Sequence, residues 1–334
     1  MKDSMIGRRA CLVGAGAALL QCSAGAAVAA GPAKVYRIGV LDPDPAVWKE
    51  NWDEFVAELA RRGYTEGRNL VFEKRFGEEV KPELANALAA ELVALKPDLI
   101  YAAHGSMSAL AARNATRTIP VVFFSSADPV GLGLVASLSK PGGNVTGNSI
   151  SSFDTIPKSL QFLAEAMGRP NIRVVDISAR GTSSLPWYPK LALAVAAAAR
   201  QLGAQYRYEE VGSMAELDVL FKRLVRDGID AVNMSTGPLF KPHLPQIVAT
   251  LIEHRLPSIG DAAQGFLLNY DTDFLHVARK AAGYVDKILR GARPSELPVE
   301  QVSTFELVIN LKTAAAMGLT VPRSLLLRAD RLIR

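Results

Sequence analysis

Two similar α/β lobes, each with a parallel sheet covered by helices on both faces, are predicted by three features of this chain. From residue 34 onward, short β-rich runs alternate with longer amphipathic segments. The runs are apolar nearly throughout, as in Leu99-Ile100-Tyr101-Ala102, so both faces of each strand are buried; in an alternating chain that means a parallel sheet. The series then restarts after the turn cluster Pro141-Gly142-Gly143-Asn144, with similarity in element order and no exact sequence repeat.

The first series opens with a strand over 35–41 and a helix over 48–62, in which Trp48, Trp52, Phe55, Val56 and Leu59 are spaced for one face. A strand over 69–76 leads to a helix over 82–95. Proline starts that helix and Lys96-Pro97 ends it, because the ring fits a first turn and not an interior. A strand at 99–103, a helix from Ser106 and a strand at 119–124 complete the series. The second series reads as helix 156–167, strand 173–177, an alanine-rich helix 191–202, strand 204–208, helix 214–226, strand 231–234 and a helix ending at Glu253. The breaks at 141–153 and 257–264 are the expected crossings between lobes. In the tail, a strand over 265–269, a helix over 274–290, a strand within 298–308 and a helix over 311–317 precede a segment, 322–333, that packs on one lobe.

Residues 1–30 have the three parts of an export signal: Lys2, Arg8 and Arg9, then an apolar stretch over 10–20, then small residues with Ala27-Val28-Ala29 as the processing site. The apolar stretch is shorter than the ~20 residues a bilayer span needs. The expectation is a soluble protein in the periplasm, cleaved near Ala29 or Ala30. Arg8-Arg9 keeps both the general and the twin-arginine routes open, while Gln21 before Cys22 argues against lipidation. Both cysteines, Cys11 and Cys22, fall in the leader, so the remaining chain has no thiol for a disulfide, a nucleophile or a metal. The charge of +5 falls to +3 once Lys2, Asp3, Arg8 and Arg9 are gone, without a dense basic block, so nucleic acid is not an expected partner.

Enzyme signatures are absent. Leu41-Asp42-Pro43-Asp44 stands where a dinucleotide-binding turn would need glycines, and no Walker A, H-E-x-x-H or G-x-S-x-G string occurs. His104, His243, His254 and His276 lack metal-ligand spacing. Neither a cofactor nor a metal is expected, and the chain reads as a binder.

Ligands of open parallel sheets collect beyond the carboxyl ends of the strands. Asp42 can meet a ligand ammonium and Trp48 can supply an apolar or cation–π face, though Trp48 equally suits the core. His104, Gly105 and Ser106 precede a helix whose free N–H groups suit a carboxylate, with Ser106 as simple N-cap the competing role. Ser125 and Ser126 are hydrogen-bond donors at the end of the next strand, and Asp128 before Pro129 reads as a cap. From the second lobe come Trp187, as lid or as loop anchor, Ser235 and Thr236, and Asp261 as the preferred ammonium partner. Together these groups suit a zwitterion, since burying either charge unpaired is costly.

Longer strings carry a family resemblance: Gly63-Tyr64-Thr65-Glu66-Gly67-Arg68-Asn69-Leu70, Asp128-Pro129-Val130-Gly131, Lys140-Pro141-Gly142-Gly143-Asn144-Val145-Thr146-Gly147, and Phe305-Glu306-Leu307-Val308-Ile309-Asn310-Leu311-Lys312-Thr313-Ala314. Over roughly residues 35–333 the chain resembles the ABC-transporter substrate-binding proteins that include tryptophan- and tyrosine-binding members. The resemblance implies a type I periplasmic binding protein: two Rossmann-like lobes, a multi-strand hinge with three segments, and a small ligand enclosed by closure. It implies an ABC permease and its ATPase as partners, an amino-acid ligand, aromatic or branched, and a monomer. Three crossings would group residues 34–148 with about 263–292 in lobe 1, and 149–262 with about 293–334 in lobe 2. A Gly-Gly, apolar pair, Ser-Tyr-Gly string common in the family is here Gln264-Gly265-Phe266-Leu267-Leu268-Asn269-Tyr270-Asp271, a departure near the expected hinge and pocket. Alternatives are a ligand-sensing domain for a membrane receptor, which would share the pocket, and a Rossmann-like enzyme.

Overall fold

The computed structural model describes residues 34–42, 49–76, 82–103, 105–150, 152–184, 188–234, 237 and 239–334. The expected leader over 1–30 lies outside the described residues. Sheet one takes β1 (Tyr36–Asp42), β2 (Leu70–Phe76), β3 (Leu99–Ala102), β4 (Val121–Ser126) and β5 (Val145–Ile150), with α1 (Lys49–Arg61), α2 (Pro82–Ala94) and α3 (Gly105–Ala115) between them. The chain continues through α4 (Ser152–Ala166), β6 (Arg173–Ala179), α5 (Tyr188–Leu202), β7 (Gln205–Val211), α6 (Met214–Arg226), β8 (Ala231–Met234), α7 (Leu244–Glu253), β9 (Ser258–Ile259) and β10 (Leu268–Thr272). It ends with α8 (Phe274–Leu289), β11 (Glu300–Val302), β12 (Phe305–Asn310), α9 (Leu311–Ala316), α10 (Arg323–Leu326) and β13 (Arg331–Ile333).

The first sheet has the order β11-β5-β4-β3-β1-β2, parallel throughout. Its two faces carry separate cores. Ile38, Val40, Tyr101 and Val122 pack against Phe55 and Leu59 of α1 and Val277, Ala281 and Val285 of α8. Leu41, Ile100 and Phe123 face Ala89 and Leu92 of α2 and Ala109 and Ala112 of α3. The central strands β1, β3 and β4 are thus wrapped on both sides, which is why those runs read as continuous apolar sequence, while the edge strands β2 and β11 keep exposed positions.

The second sheet has the order β13-β12-β10-β9-β8-β6-β7. It departs from an all-parallel layout at β10 and β12, which are antiparallel with Leu268 opposite Ile309 and Thr272 opposite Phe305. The cause is topological. The chain leaves this sheet at the carboxyl end of β10, passes through α8 and β11 of the other lobe, and returns at that same end, so β12 must run back. The expected lobe limits move accordingly. Residues 268–272 belong to the second sheet rather than the first, and 300–302 to the first rather than the second, because β11 pairs with β5. The expected crossing at about 263 therefore falls at Asp273, and that at about 293 falls at 303–304.

Three crossings form the hinge. β5 ends at Ile150 and α4 begins at Ser152, β10 ends at Thr272 and α8 begins at Phe274, and β11 ends at Val302 and β12 begins at Phe305. Ile150 is opposite Val302, and Thr272 is opposite Phe305, so the third crossing lies between the other two. Asp273 N–H donates to Thr304 O at 3.1 Å, tying the second crossing to the third.

Other differences are local. The expected strand over 265–269 starts later, because Asp261 opens a 3-10 turn over Ala262–Gln264 that Gly265 closes in the left-handed region (φ 109°). The single strand expected within 298–308 is two, β11 and β12, in different sheets. The segment over 322–333 contains α10 and the edge strand β13.

Candidate functional site

In lobe 1 the carboxyl ends of β1, β3 and β4 lie side by side, since these strands are register-paired neighbours. β1 ends in Asp42, only 4% exposed. Burial, together with the Asp42 charge, pushes the Tyr101 phenol well above its usual range, so a carboxylate sits close to this dry ring. Tyr101 in turn stacks on Phe55 with centroids 4.0 Å apart. α3 begins at Gly105, whose φ of 54° is left-handed, a conformation glycine adopts without a Cβ penalty. Ser106, one residue in, meets Ser126 with their Oγ atoms 2.8 Å apart. β4 runs two residues beyond its expected end and carries Ser125 and Ser126, both buried. Between Phe123 and Ser126 its pairing with β5 slips by one position, a bulge that re-aims the strand end. Asn148 Nδ2 donates to Phe124 O at 3.0 Å and so holds the carbonyl within the bulge.

The lobe-2 strands β6, β8, β9 and β10 are parallel neighbours and end on one edge. One ion pair relates this edge to lobe 1. Lys190, in the first turn of α5, lies 3.9 Å from Asp128 Oδ2, two residues beyond β4. The carboxyl ends of the two sheets therefore face each other, with the hinge crossings at one margin and Asp128–Lys190 between the lobes. This is the geometry of a cleft into which both lobes aim strand ends and helix N-termini. The Asp128 side chain also caps the turn after β4, accepting from Gly131 N–H at 3.0 Å.

Asp261, the preferred ammonium partner from sequence, follows β9 and caps the 3-10 turn by accepting from Ala263 N–H at 3.0 Å. Trp48, His104, Trp187, Ser235 and Thr236 lie outside the described residues. Asp42, Gly105, Ser106, Ser125 and Ser126 are thus gathered in lobe 1, and Asp261 stands on the edge of lobe 2.

Two carboxylates of lobe 2 were not singled out from sequence. Asp176, mid-strand in β6 and 6% exposed, accepts from Tyr206 Oη at 2.8 Å. Burial raises its carboxyl from 3.8 to about 6, against the lowering effect of hydrogen bonds from Tyr206 and Asn233. The same burial raises Tyr188 to about 12, with the Asp176 and Glu210 charges adding to it. Asp271, next to last in β10, is half-buried and is likewise pushed up to about 6 by burial. The first is a lone carboxylate in β6 whose partner, Tyr206, lies far away in sequence. The second stood in the string at 264–271 that departs from the family pattern, a signal present in the sequence.

Among the described residues no helix is long and apolar enough to cross a membrane, and no group of three or more His, Cys, Asp or Glu could hold a metal ion.

Comparison with known proteins agrees with this architecture. Residues 46–333 match the family of ABC transporter substrate binding proteins, and the chain belongs to that family. It is similar to a tyrosine-binding protein of Clostridioides difficile (strain R20291), 28% identical over 273 residues, which covers 79% of this chain and 75% of the relative. Two solved structures share its fold at a TM-score of 0.78, each covering 90% of this chain and 100% of its own. One is a conserved domain protein from Vibrio cholerae O1 biovar El Tor, 23% identical. The other is an ABC domain in complex with L-Trp from Streptococcus pneumoniae, 24% identical. The two-lobed type I periplasmic binding protein architecture expected from sequence is the one observed.

Proposed function

We propose that this protein is the periplasmic, extracytoplasmic component of an ABC importer, a monomer that encloses an amino acid, aromatic or branched, and delivers it to a permease with its ATPase. The observation that carries this reading is the facing of two sets of strand ends across a three-stranded hinge. Such a cleft can shut around a small molecule, and ligand shifts the population toward the closed form through contacts absent in the open one. The lobe-1 wall suits the carboxylate end of a zwitterion: α3 presents its first N–H groups beside the Ser106 and Ser126 hydroxyls, with Ser125 on the adjoining strand end. Asp42, and in the second lobe Asp261, offer negative charge for the amine. Trp48, His104, Trp187, Ser235 and Thr236 remain proposed contacts. The tyrosine-binding relative and the L-Trp complex favour an amino acid with a large side chain. Binding is the whole task, and no bond is made or broken.

Native mass spectrometry of freshly purified protein, followed by calorimetric titration with L-tryptophan, L-tyrosine, L-leucine and unrelated sugars, tests the proposal. One amino acid bound at one per chain is the expected result. A sugar or nucleotide mass, or titration by none of the amino acids, overturns it.

A further inference from the structure

A carboxylate in a folded protein is normally either solvated or paired, because an isolated desolvated charge is costly. Asp271 is not fully solvated, and among the described residues it is not paired with a cation. Surrounding protein displaces enough water to raise its carboxyl to about 6, while the residue as a whole is half-buried rather than enclosed. A carboxylate crowded by protein that keeps some surface open can receive a small cation there. Its place in the fold agrees. Asp271 is the fourth of five residues in β10, immediately before the crossing at Asp273, and so stands at the carboxyl edge of sheet two beside the hinge.

The charged groups of the neighbouring elements are engaged elsewhere. Glu306, opposite it on β12, pairs with Arg331 of β13 at 3.3 Å. Asp273 caps α8 through His276 N–H at 2.9 Å and faces Arg279 at 3.7 Å. Asp261, beyond the adjacent strand β9, caps Ala263. Among the described residues the Asp271 carboxylate has one hydrogen bond, from Thr272 N–H at 2.7 Å, which occupies Oδ1 and leaves Oδ2 without a donor.

We propose that Asp271 is the cation-recognising residue of the cleft and that the ligand presents a protonated amine to it. The inference rests on the reading that ligand sits between the lobes. It moves the amine contact from Asp261, which opens the 3-10 turn after β9, to Asp271, which stands at the strand end beside the hinge crossing and keeps its second oxygen without a donor among the described residues. An ammonium placed there supplies the missing countercharge, and closure of lobe 1 over it removes the remaining water, which strengthens the pair. The selectivity follows directly: a ligand of the same shape without the amine leaves Asp271 buried and unpaired.

The test titrates wild-type protein, Asp271→Asn and Asp271→Glu at pH 7.5 against three probe classes by calorimetry: L-tyrosine, L-tryptophan and L-leucine, their des-amino acids, and their decarboxylated amines. Wild type is expected to prefer an amine-bearing probe over its des-amino partner by about 100-fold, as for other buried charge pairs. Asp271→Asn should lose that preference and leave des-amino affinity within about threefold, while Asp271→Glu retains part of it. Wild-type binding of amines but of no amino acid removes the amino-acid reading and leaves the inference standing. Wild type that binds no ammonium-bearing probe, or an Asp271→Asn variant whose preference is unchanged or whose affinity falls equally for all classes, overturns it.

Discussion

Replacing Asp176 with asparagine should make lobe 2 more stable at neutral pH, and the size of the gain can be worked from its surroundings. The carboxyl lies among neutral partners, the Tyr206 hydroxyl and the Asn233 amide, with its value raised from 3.8 to about 6 by burial. A shift of that size corresponds to about 3 kcal/mol of preference for the protonated form in the folded state. The sign follows from proton uptake. Between 3.8 and about 6 the folded state holds more of this proton than the unfolded state, so wild-type stability falls as pH rises through that window and levels off above it. Asparagine is neutral at every pH and can still accept from Tyr206. Urea denaturation at pH 7.5 should therefore favour Asp176→Asn by about 2 kcal/mol, and at pH 4 the two proteins should agree within about 0.5 kcal/mol. An equal loss at both pH values would refute the reasoning, since it would mean that ionisation of this carboxyl plays no part in the difference.

Affinity for an amino-acid ligand should weaken as pH drops below about 6, because Asp271 protonates in the free protein; calorimetry should show up to about tenfold loss per pH unit. Lys190→Ala removes the pair with Asp128 and should speed ligand release by no more than about fivefold in stopped flow, with the effect fading in high salt, since exposed pairs contribute up to about 1 kcal/mol. Gly147→Ala should destabilise lobe 1 by about 3 kcal/mol or more in urea, because a Cβ there would lie 2.2 Å from Phe123 O, a backbone atom that cannot move aside. A normal urea midpoint for that variant would mean the β4–β5 bulge is softer than described.

The sheets were legible because their signal is local. Leu99-Ile100-Tyr101-Ala102 is apolar at every position, and all four residues are buried between two helical layers. The expected helix over 214–226 coincides with Met214–Arg226, and Ser213 fixes its start by accepting from Glu216 N–H. Crossings were less legible, since strand partners are chosen by tertiary geometry. Residues 298–308 look like one strand, yet Val302 pairs into the first sheet and Phe305 into the second, with two residues between. In the site, Ser106 and Ser126 could be named because one opens the helix after β3 and the other ends β4, at the carboxyl edge of a parallel sheet. Asp261 is the preferred ammonium partner in the sequence because it follows a strand close to the expected crossing, and the cap it makes with Ala263 depends on a turn that periodicity does not reveal. Asp176 was hidden for a different reason: its partner Tyr206 is thirty residues away.

The threading of β11 and β12 bears on how this molecule comes into being. Neither half is a continuous stretch of polypeptide, so neither can be finished when its first segment has been made. Until residues 300–302 arrive, β5 remains a bare margin of one sheet; until 305–310 arrive, β10 is a bare margin of the other. Unpaired margins of this kind invite pairing with other chains. Loss of the last thirty-odd residues would therefore damage both halves at once, and no single cut can release one of them as an intact piece.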